Sequence, residues 1–271
     1  MKALAKHISD RNTTFKYAVG KSIRQGKEFH SFHEILYFME GDATFVSEKR
    51  QFNLKPNTLI VIPKECYHQF IFSCEDNYRR CVFNFYENIN TANSLNDIQI
   101  LEPTAHTELL FKKMIEISDG DINDKTKIQL MNAVLSLLLY EISSSQKAEI
   151  SVKKFSKVTN DALFYINKHI KESLSVNAIA ERLNVSGSTL SHIFKSDMKI
   201  PIYKFITEKK LILINRLISS GVNATTAAAE YGFHDYSGFF KQYKAMFGIS
   251  PSKTEVAVKS SDIIGKYEVD G

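Results

Sequence analysis

The stretch IAERLNVSGSTLSHIFK, residues 179–195, decides the fold of the C-terminal part of this 271-residue chain. Its apolar residues recur at helical spacing on both sides of a short polar turn. Ser186 stands where its side chain can cap the helix that follows, and Ala180 offers the small side chain that two crossing helices need. The stretch predicts a helix-turn-helix unit with helices over residues 176–183 and 187–197.

A second unit of the same kind follows in YGFHDYSGFFKQYKAMFG, residues 231–248. A helix of small residues is predicted over 224–230. Gly232 fits a left-handed position at the end of that helix, and Asp235 can cap the next one. The second helix of this unit, predicted over residues 236–247, is expected to bury Phe239, Tyr243 and Phe247.

A long helix is predicted between the two units, over residues 202–219. Pro201 suits the start of a helix because it lacks a backbone N–H, and Gly221 suits a position where one ends. The apolar side chains of this helix are expected to form a core shared by both units: Phe205, Leu211, Ile214, Leu217 and Ile218.

Together with ISPSK at residues 249–253, these phrases resemble the DNA-binding domain of the AraC/XylS family of bacterial transcription regulators. The resemblance covers residues 175–252, and the order and spacing of both units match. In that family the two recognition helices enter successive segments of the major groove on one face of the duplex. The resemblance implies that this chain binds double-stranded promoter DNA and acts together with RNA polymerase.

The resemblance also assigns roles to side chains of the two recognition helices. In the first helix the groove-facing positions are Gly187, Ser188, Ser191 and His192. In the second they are Tyr236, Ser237 and Lys241. Phosphate contacts, which supply affinity and register but no sequence information, are assigned to Lys195 and Lys244. The alternative is a helical bundle whose exposed face is polar without function.

Three residues depart from the usual pattern of the family. Lys210 stands on the long helix where Arg is usual, Ile214 where Ala is usual, and Ala227 where Ile is usual. The groove face of the first recognition helix also lacks an Arg or Gln that would contact a base through two hydrogen bonds. This last departure bears on how much specificity the first helix supplies.

Short β-rich runs alternate with turn residues from about residue 15 to residue 86. Such runs, spaced about ten residues apart, predict a sandwich or a small barrel, whose interior can be filled or can hold one small ligand. The runs are residues 35–39, 43–46, 59–63, 69–72 and 81–85.

Two segments of this region resemble the cupin-type sensor barrel that often precedes the same DNA-binding domain: HSFHEILYFMEG at residues 30–41 and FNLKPNTLIVIPKECYHQF at residues 52–70. The resemblance implies a small-molecule effector, and the side chains expected to line its pocket are His30, His33, Glu34, Tyr37 and His68. Their spacing departs from the His-x-His pattern of metal-binding cupins. No metal and no other cofactor is therefore expected, although metal binding by the histidine cluster is left open.

Helical periodicity begins after the strands, over residues 107–118 and 125–144. The second helix is apolar around much of its circumference, which predicts burial against its own domain and a homodimer through residues 125–144. The fold class is therefore α+β: a cupin-like β-barrel with following helices, then an all-α domain. The expected boundaries are residues 1–150 for the sensor and dimerisation domain and residues 151–271 for the DNA-binding domain.

The charge of the chain is distributed unevenly. Residues 1–150 hold 18 Lys and Arg against 19 Asp and Glu, a net charge of −1, whereas residues 151–271 hold 17 against 11, a net charge of +6. This asymmetry favours a polyanionic partner for the C-terminal part. Because no apolar run approaches the roughly 20 residues of a membrane span and no signal peptide is evident, a cytoplasmic location is expected.

Three functions remain compatible with these observations. The first is a one-component regulator whose barrel senses a small molecule and whose C-terminal domain binds promoter DNA. The second is a regulator controlled by a protein partner or by its own concentration, for which a packed barrel interior would speak. The third is a metal-dependent cupin enzyme with an appended DNA-binding domain. No convincing nucleophile and base pair and no phosphate-binding loop support an enzyme.

Overall fold

The computed structural model describes residues 4–10, 12–20, 27–28, 30, 32–64, 66–72, 78–86, 97–148 and 152–254. Its contacts divide the chain into two compact units: Met1–Ser47 with Phe52–Val152, and Lys153–Gly271 with Glu48–Gln51. No helix of the described residues is long and apolar enough to cross a membrane.

The first unit contains β-strands and two helices. In chain order the strands are β1 (Leu4–Ser9), β2 (Thr13–Val19), β3 (Lys27–Glu28), β4 (His33–Glu40), β5 (Ala43–Ser47), β6 (Gln51–Leu54), β7 (Thr58–Ile62), β8 (His68–Phe72), β9 (Arg79–Phe85), β10 (Gln99–Leu101) and β11 (Val152–Lys153). One sheet has the order β1-β2-β9-β4-β7-β10, and a second sheet has the order β11-β6-β5-β8-β3. Neighbouring strands of the first sheet run antiparallel, as do β5 and β3 beside β8 in the second.

The two sheets pack face to face and do not close into one barrel among the described strands. Strand residues alternate between the two faces of a sheet, so the inner face of the first sheet carries Leu36, Phe38, Ile60 and Ile62. These side chains share one apolar cluster with residues of the second sheet: Ala43, Phe45, Phe52, Leu54 and Phe70. The α+β fold class is confirmed, and the cupin-like barrel expected from the sequence is an unclosed two-sheet sandwich among the described strands.

The outer face of the first sheet is covered by two helices, α1 (Ala105–Asp119) and α2 (Asp124–Ser144). Thr104 and Asn123 cap them by accepting hydrogen bonds from backbone N–H groups of the first turn, as short polar side chains do at helix starts. Their inward residues join the alternate strand residues in a second apolar cluster: Phe111, Met114, Leu135, Leu138, Ile35, Tyr37 and Phe83. The first unit thus has three layers, with β4 and β9 in the central sheet contributing to both cores.

The second unit is helical. Its helices are α3 (Lys157–Lys168), α4 (Val176–Arg182), α5 (Gly187–Met198), α6 (Ile202–Ser219), α7 (Ala224–Glu230) and α8 (Tyr236–Phe247). Buried side chains of α6, α7 and α8 form one apolar cluster that includes Ile214, Ala227, Phe239 and Tyr243. Phe247, which the sequence places in this core, is only half-buried, because it lies in the last turn of α8.

Candidate functional site

The first helix-turn-helix unit consists of α4 and α5, and local hydrogen bonds set where each helix begins. The Ser175 hydroxyl accepts a hydrogen bond from the Ala178 N–H (3.1 Å), and the Ser186 hydroxyl accepts one from the Thr189 N–H (3.0 Å). Inside the unit, small and apolar side chains let the helices pack closely: Ile179, Ala180, Leu190 and Phe194 are buried. The face of α5 opposite this core is therefore directed away from the unit's interior.

That opposite face carries the residues expected to contact DNA. Ser188, His192 and Lys195 are exposed, while Gly187 and Ser191 are half-buried. All five lie on one helix, so a duplex approaching α5 would meet them together. The side chains are short or flexible, and only Lys195 has a permanent positive charge.

The second helix-turn-helix unit consists of α7 and α8. The Asp235 carboxylate accepts hydrogen bonds from the N–H groups of Ser237 and Gly238 (2.9 Å each), which orients the first turn of α8. Phe239 and Tyr243 are buried below this helix. The four residues expected to contact DNA are all exposed: Tyr236, Ser237, Lys241 and Lys244.

Two polar residues at α8 are absent from the set expected from the sequence. His234 precedes the capping Asp235, and Gln242 lies on α8 itself. An amide side chain on an exposed helix face can hydrogen-bond adenine through two contacts. Helical phase does not single out Gln242, because at about 100° per residue it lies only about 60° around the helix from the buried Phe239.

A second polar cluster lies between the two sheets of the first unit. His30, Glu34 and His68 are all buried, and one nitrogen or oxygen atom of each lies within 4.8 Å of the other two. His30 Nε2 is 3.2 Å from Glu34 Oε2. Glu34 belongs to β4 of the first sheet and His68 to β8 of the second, so the cluster bridges the sandwich at one end of its apolar core.

Charge balance inside this cluster favours an ionised Glu34. Burial alone raises the pKa of the carboxyl group, since a low dielectric disfavours the charged form. The hydrogen bond from His30 and the charges of His68 and His30 outweigh burial, and the pKa of Glu34 falls to about 2.

The structure does not bring His33 and Tyr37 to this cluster. Both occupy β4 positions that alternate with Glu34 and so face the helices. The His33 ring stacks on Phe85 at 5.5 Å, and the Tyr37 hydroxyl donates a hydrogen bond to Asn57. Of the five residues expected at a pocket, three lie together and two lie on the other side of the same strand.

Two further polar residues continue the row from Glu34 across the first sheet, and neither is expected from the sequence. Asn84 pairs with Glu34 across β9 and β4, and Thr14 pairs with Asn84 across β2 and β9. Asn84 is 7% exposed and Thr14 is 1% exposed. Asn84 Oδ1 and Thr14 Oγ1 have no hydrogen-bond partner among the described residues. Finding this row from sequence requires the strand register, which local periodicity does not give.

Comparison with protein families covers most of the chain. Residues 21–122 match the model of the AraC-like ligand binding domain, and residues 179–255 match a helix-turn-helix domain model. The chain belongs to the AraC/XylS family. It is a DNA-binding transcriptional regulator of the AraC type with an N-terminal ligand-binding domain.

Two relatives of this AraC/XylS protein are named as regulatory proteins, and each aligns with it over most of its length. The Msm operon regulatory protein of Streptococcus mutans is 21% identical over 270 residues, which span 94% of this chain and 93% of the relative. The arabinose operon regulatory protein of Escherichia coli is 21% identical over 249 residues, spanning 82% and 83%. Among solved structures, ToxT from Vibrio cholerae aligns over 96% of this chain and 98% of its own, with 11% identity and a TM-score of 0.40.

Lys210 connects the two helix-turn-helix units of this AraC/XylS protein. It lies on α6, is buried, and its ammonium group donates hydrogen bonds to the backbone carbonyls of Glu172 and Tyr231. Glu172 precedes α4 of the first helix-turn-helix unit, and Tyr231 ends α7 of the second helix-turn-helix unit. Burial lowers the pKa of Lys210. A lysine can thus fill this position of the long helix, where the family usually has Arg.

Gly232 allows the same two segments to approach each other. Its φ is +74°, a left-handed conformation that a side chain disfavours. A Cβ atom at this position would lie 3.0 Å from the Glu172 carbonyl carbon and 3.1 Å from Ser173 N. The turn of the second helix-turn-helix unit therefore contacts the backbone that leads into the first helix-turn-helix unit.

Proposed function

We propose that this protein is a one-component transcription regulator that binds promoter DNA through α5 and α8. The observation that carries the proposal is that both helices are capped, buried on one face and polar on the other. Base contacts are assigned to exposed or half-buried residues of the two helices: Gly187, Ser188, Ser191, His192, Tyr236, Ser237 and Lys241. The phosphate contacts are assigned to Lys195 and Lys244.

The decisive experiment is selection from random duplexes with the full-length protein. We expect the wild type to enrich a site with two halves. His192→Ala should relax the sequence preference of one half and Lys241→Ala that of the other, each costing about 1–3 kcal/mol of discrimination. Enrichment of the same single-half site by all three proteins would contradict two recognition helices.

Lys244→Ala separates phosphate contact from base contact. Loss of one phosphate contact weakens binding equally on all sequences and lowers the slope of log affinity against log salt by about 1. Lys204→Ala, an exposed lysine on α6, is the matched control and should leave both quantities unchanged. A change in the enriched sequence for Lys244→Ala would move this residue to the base-contacting set.

For the N-terminal unit we propose control by a small-molecule effector that contacts His30, Glu34 and His68. Thr14 and Asn84 add buried polar atoms at the same place, and polar groups of this kind orient ligands in mostly apolar pockets. His33 and Tyr37, also expected at the pocket, lie on the opposite face of β4 and are left out of this proposed contact set. We further propose that the protein acts in the cytoplasm with RNA polymerase as a partner and catalyses no reaction.

A specific observation favours a second candidate, a regulator without a small ligand. Large apolar side chains fill the space between the sheets away from the polar cluster, among them Phe38, Phe45 and Phe70. Unfolding midpoints measured with sets of small polar and anionic compounds distinguish the two candidates. A compound that raises the midpoint in the wild type but not in Asn84→Leu supports the effector; no response to any set supports the second candidate.

We propose that the regulator is a homodimer through α2, the helix predicted over residues 125–144. The inward face of α2 is buried in the first unit, but its outward face is apolar as well. Leu130, Ala133, Leu137 and Tyr140 recur every three or four residues on that face, and the last two are 57% and 71% exposed. A continuous apolar stripe of this kind is typical of helices that pair with a second copy.

Leu137→Glu is expected to weaken the dimer at least tenfold, because it places a charge from each copy in an apolar contact. Sedimentation of the full-length protein across a micromolar concentration range measures the dissociation constant. Ser143→Glu is the matched control: it adds the same charge on α2, about 120° around the helix from Leu137. A wild type that sediments only as monomer at micromolar concentration contradicts the proposed dimer.

A further inference from the structure

The His30, Glu34 and His68 cluster has a composition and geometry that its role as a pocket wall does not require. Two imidazoles and one carboxylate lie together, all buried, with their ligand-type atoms within 4.8 Å of one another. Two histidines and one carboxylate form a ligand set that divalent zinc and iron take in proteins. In that set, positions remain open for water or another ligand.

Backbone carbonyls hold both imidazoles from behind. His30 Nδ1 is 2.7 Å from the Phe32 carbonyl oxygen, and His68 Nδ1 is 3.1 Å from the Cys66 carbonyl oxygen. A carbonyl only accepts, so each Nδ1 must be the donor. In the neutral ring, Nε2 then carries the lone pair. Such carbonyl contacts orient the histidine ligands of metal sites and fix their tautomer.

The distance of 3.2 Å between His30 Nε2 and Glu34 Oε2 fits either a proton on the imidazole or a metal ion bound by both atoms. The buried Asn84 Oδ1 beside Glu34 adds a further oxygen with no hydrogen-bond partner among the described residues, and such an oxygen suits a cation or a water bound to one.

We propose that His30, Glu34 and His68 bind one divalent transition-metal ion, of the zinc or iron class, between the two sheets. The ion links β4 of the first sheet to β8 of the second. Metal binding goes beyond the proposed regulatory function, because all three ligands lie in the N-terminal unit and none belongs to the proposed DNA-binding helices. The spacing His-x-x-His-Glu departs from the His-x-His pattern of metal-binding cupins, whereas the fold brings His30, Glu34 and His68 together without His33.

The test uses the full-length protein after removal of bound metal with a chelator. Titration with Co²⁺ is followed by its visible absorption, and Zn²⁺ is then added in competition. We expect one Co²⁺ per chain with the strong absorption of a four- or five-coordinate ion, and displacement by one Zn²⁺. Glu34→Gln keeps the side-chain size but removes the anionic ligand, so its affinity should fall about 100-fold or more.

His33→Gln is the matched control, since His33 is equally buried and adjacent to Glu34 but faces the helices. It should retain the affinity of the wild type. Circular dichroism shows whether each variant is folded, and X-ray absorption at the zinc edge of the wild type reports nitrogen and oxygen ligands without any variant. Equal affinity of wild type and Glu34→Gln, or the weak spectrum of six-coordinate aqueous Co²⁺, would overturn the site.

DNA binding is recorded with the same preparations and keeps the two proposals apart. Metal uptake with no enriched DNA site would support the metal site and contradict the proposed function. Selection of a two-part DNA site by a protein that takes up no metal would do the reverse. An ion that changes DNA affinity in the wild type but not in Glu34→Gln would support both.

Discussion

Replacing Lys210 with methionine is expected to lower the free energy of unfolding of the helical unit by about 3 kcal/mol. Methionine matches the length of the lysine stem but leaves the carbonyls of Glu172 and Tyr231 without their buried donor. Hydrogen exchange measured by mass spectrometry on the full-length protein resolves the effect. Amides of α6 and α8 that exchange by global opening should exchange roughly 100-fold faster.

Two variants of α6 serve as controls for this result. Lys204→Met removes an exposed lysine whose ammonium is 3.7 Å from Glu208, and exposed ion pairs contribute at most about 1 kcal/mol. Lys210→Arg keeps a permanent donor at the junction and should retain most of the stability. Unchanged amide exchange rates in Lys210→Met would show that the two carbonyls find other donors. Lys210 would then not hold the two helix-turn-helix units together.

Gly232→Ala is expected to cost about 2–3 kcal/mol, of which about 1 kcal/mol is left-handed backbone strain and the rest is contact with the backbone at Glu172. Because that contact is with main chain, no side chain can rotate away to relieve it. Urea unfolding followed by the circular dichroism of the helices measures the loss of stability. DNA affinity should fall as well, because the substitution displaces one helix-turn-helix unit against the other.

Gly248→Ala separates the two causes. Gly248 ends α8 with φ +71°, close to the +74° of Gly232, but a Cβ atom at Gly248 would meet nothing within 4 Å. Its cost should therefore be the strain alone, and the difference between the two variants measures the close approach. Equal costs for both variants would mean that the loop before α4 yields freely.

Local chemistry explains why the helical unit can be predicted closely from sequence. The observed α6, α7 and α8 begin and end at the predicted residues 202–219, 224–230 and 236–247. Capping groups, prolines and glycines act within one helical turn, so the sequence contains this information directly. Lys210 stands out in the sequence only as a departure from the family pattern, because nothing local shows that a lysine in an apolar helix reaches two distant carbonyls.

The first unit is predicted less completely, since its contacts join residues far apart in the chain. The predicted runs correspond to β4, β5, β7, β8 and β9, whereas β1, β2, β3, β6 and β10 are not among them. The pairing of those strands depends on partners that the local pattern does not show. The alternation of side chains along β4 is enough by itself to separate Glu34 from His33 and Tyr37. The polar row of Thr14, Asn84 and Glu34 requires the register of three strands, which no single segment contains.

The junction at Lys210 and Gly232 also has a consequence for promoter architecture. If α5 and α8 are fixed to each other through α6, the distance and the angle between the two recognition helices are constant. One base pair inserted between the two half-sites shifts one of them by about 3.4 Å and turns it by about 35° around the duplex. A rigid pair of helices cannot follow that screw motion, so the operators of this regulator should tolerate changes in base sequence far better than changes in spacer length.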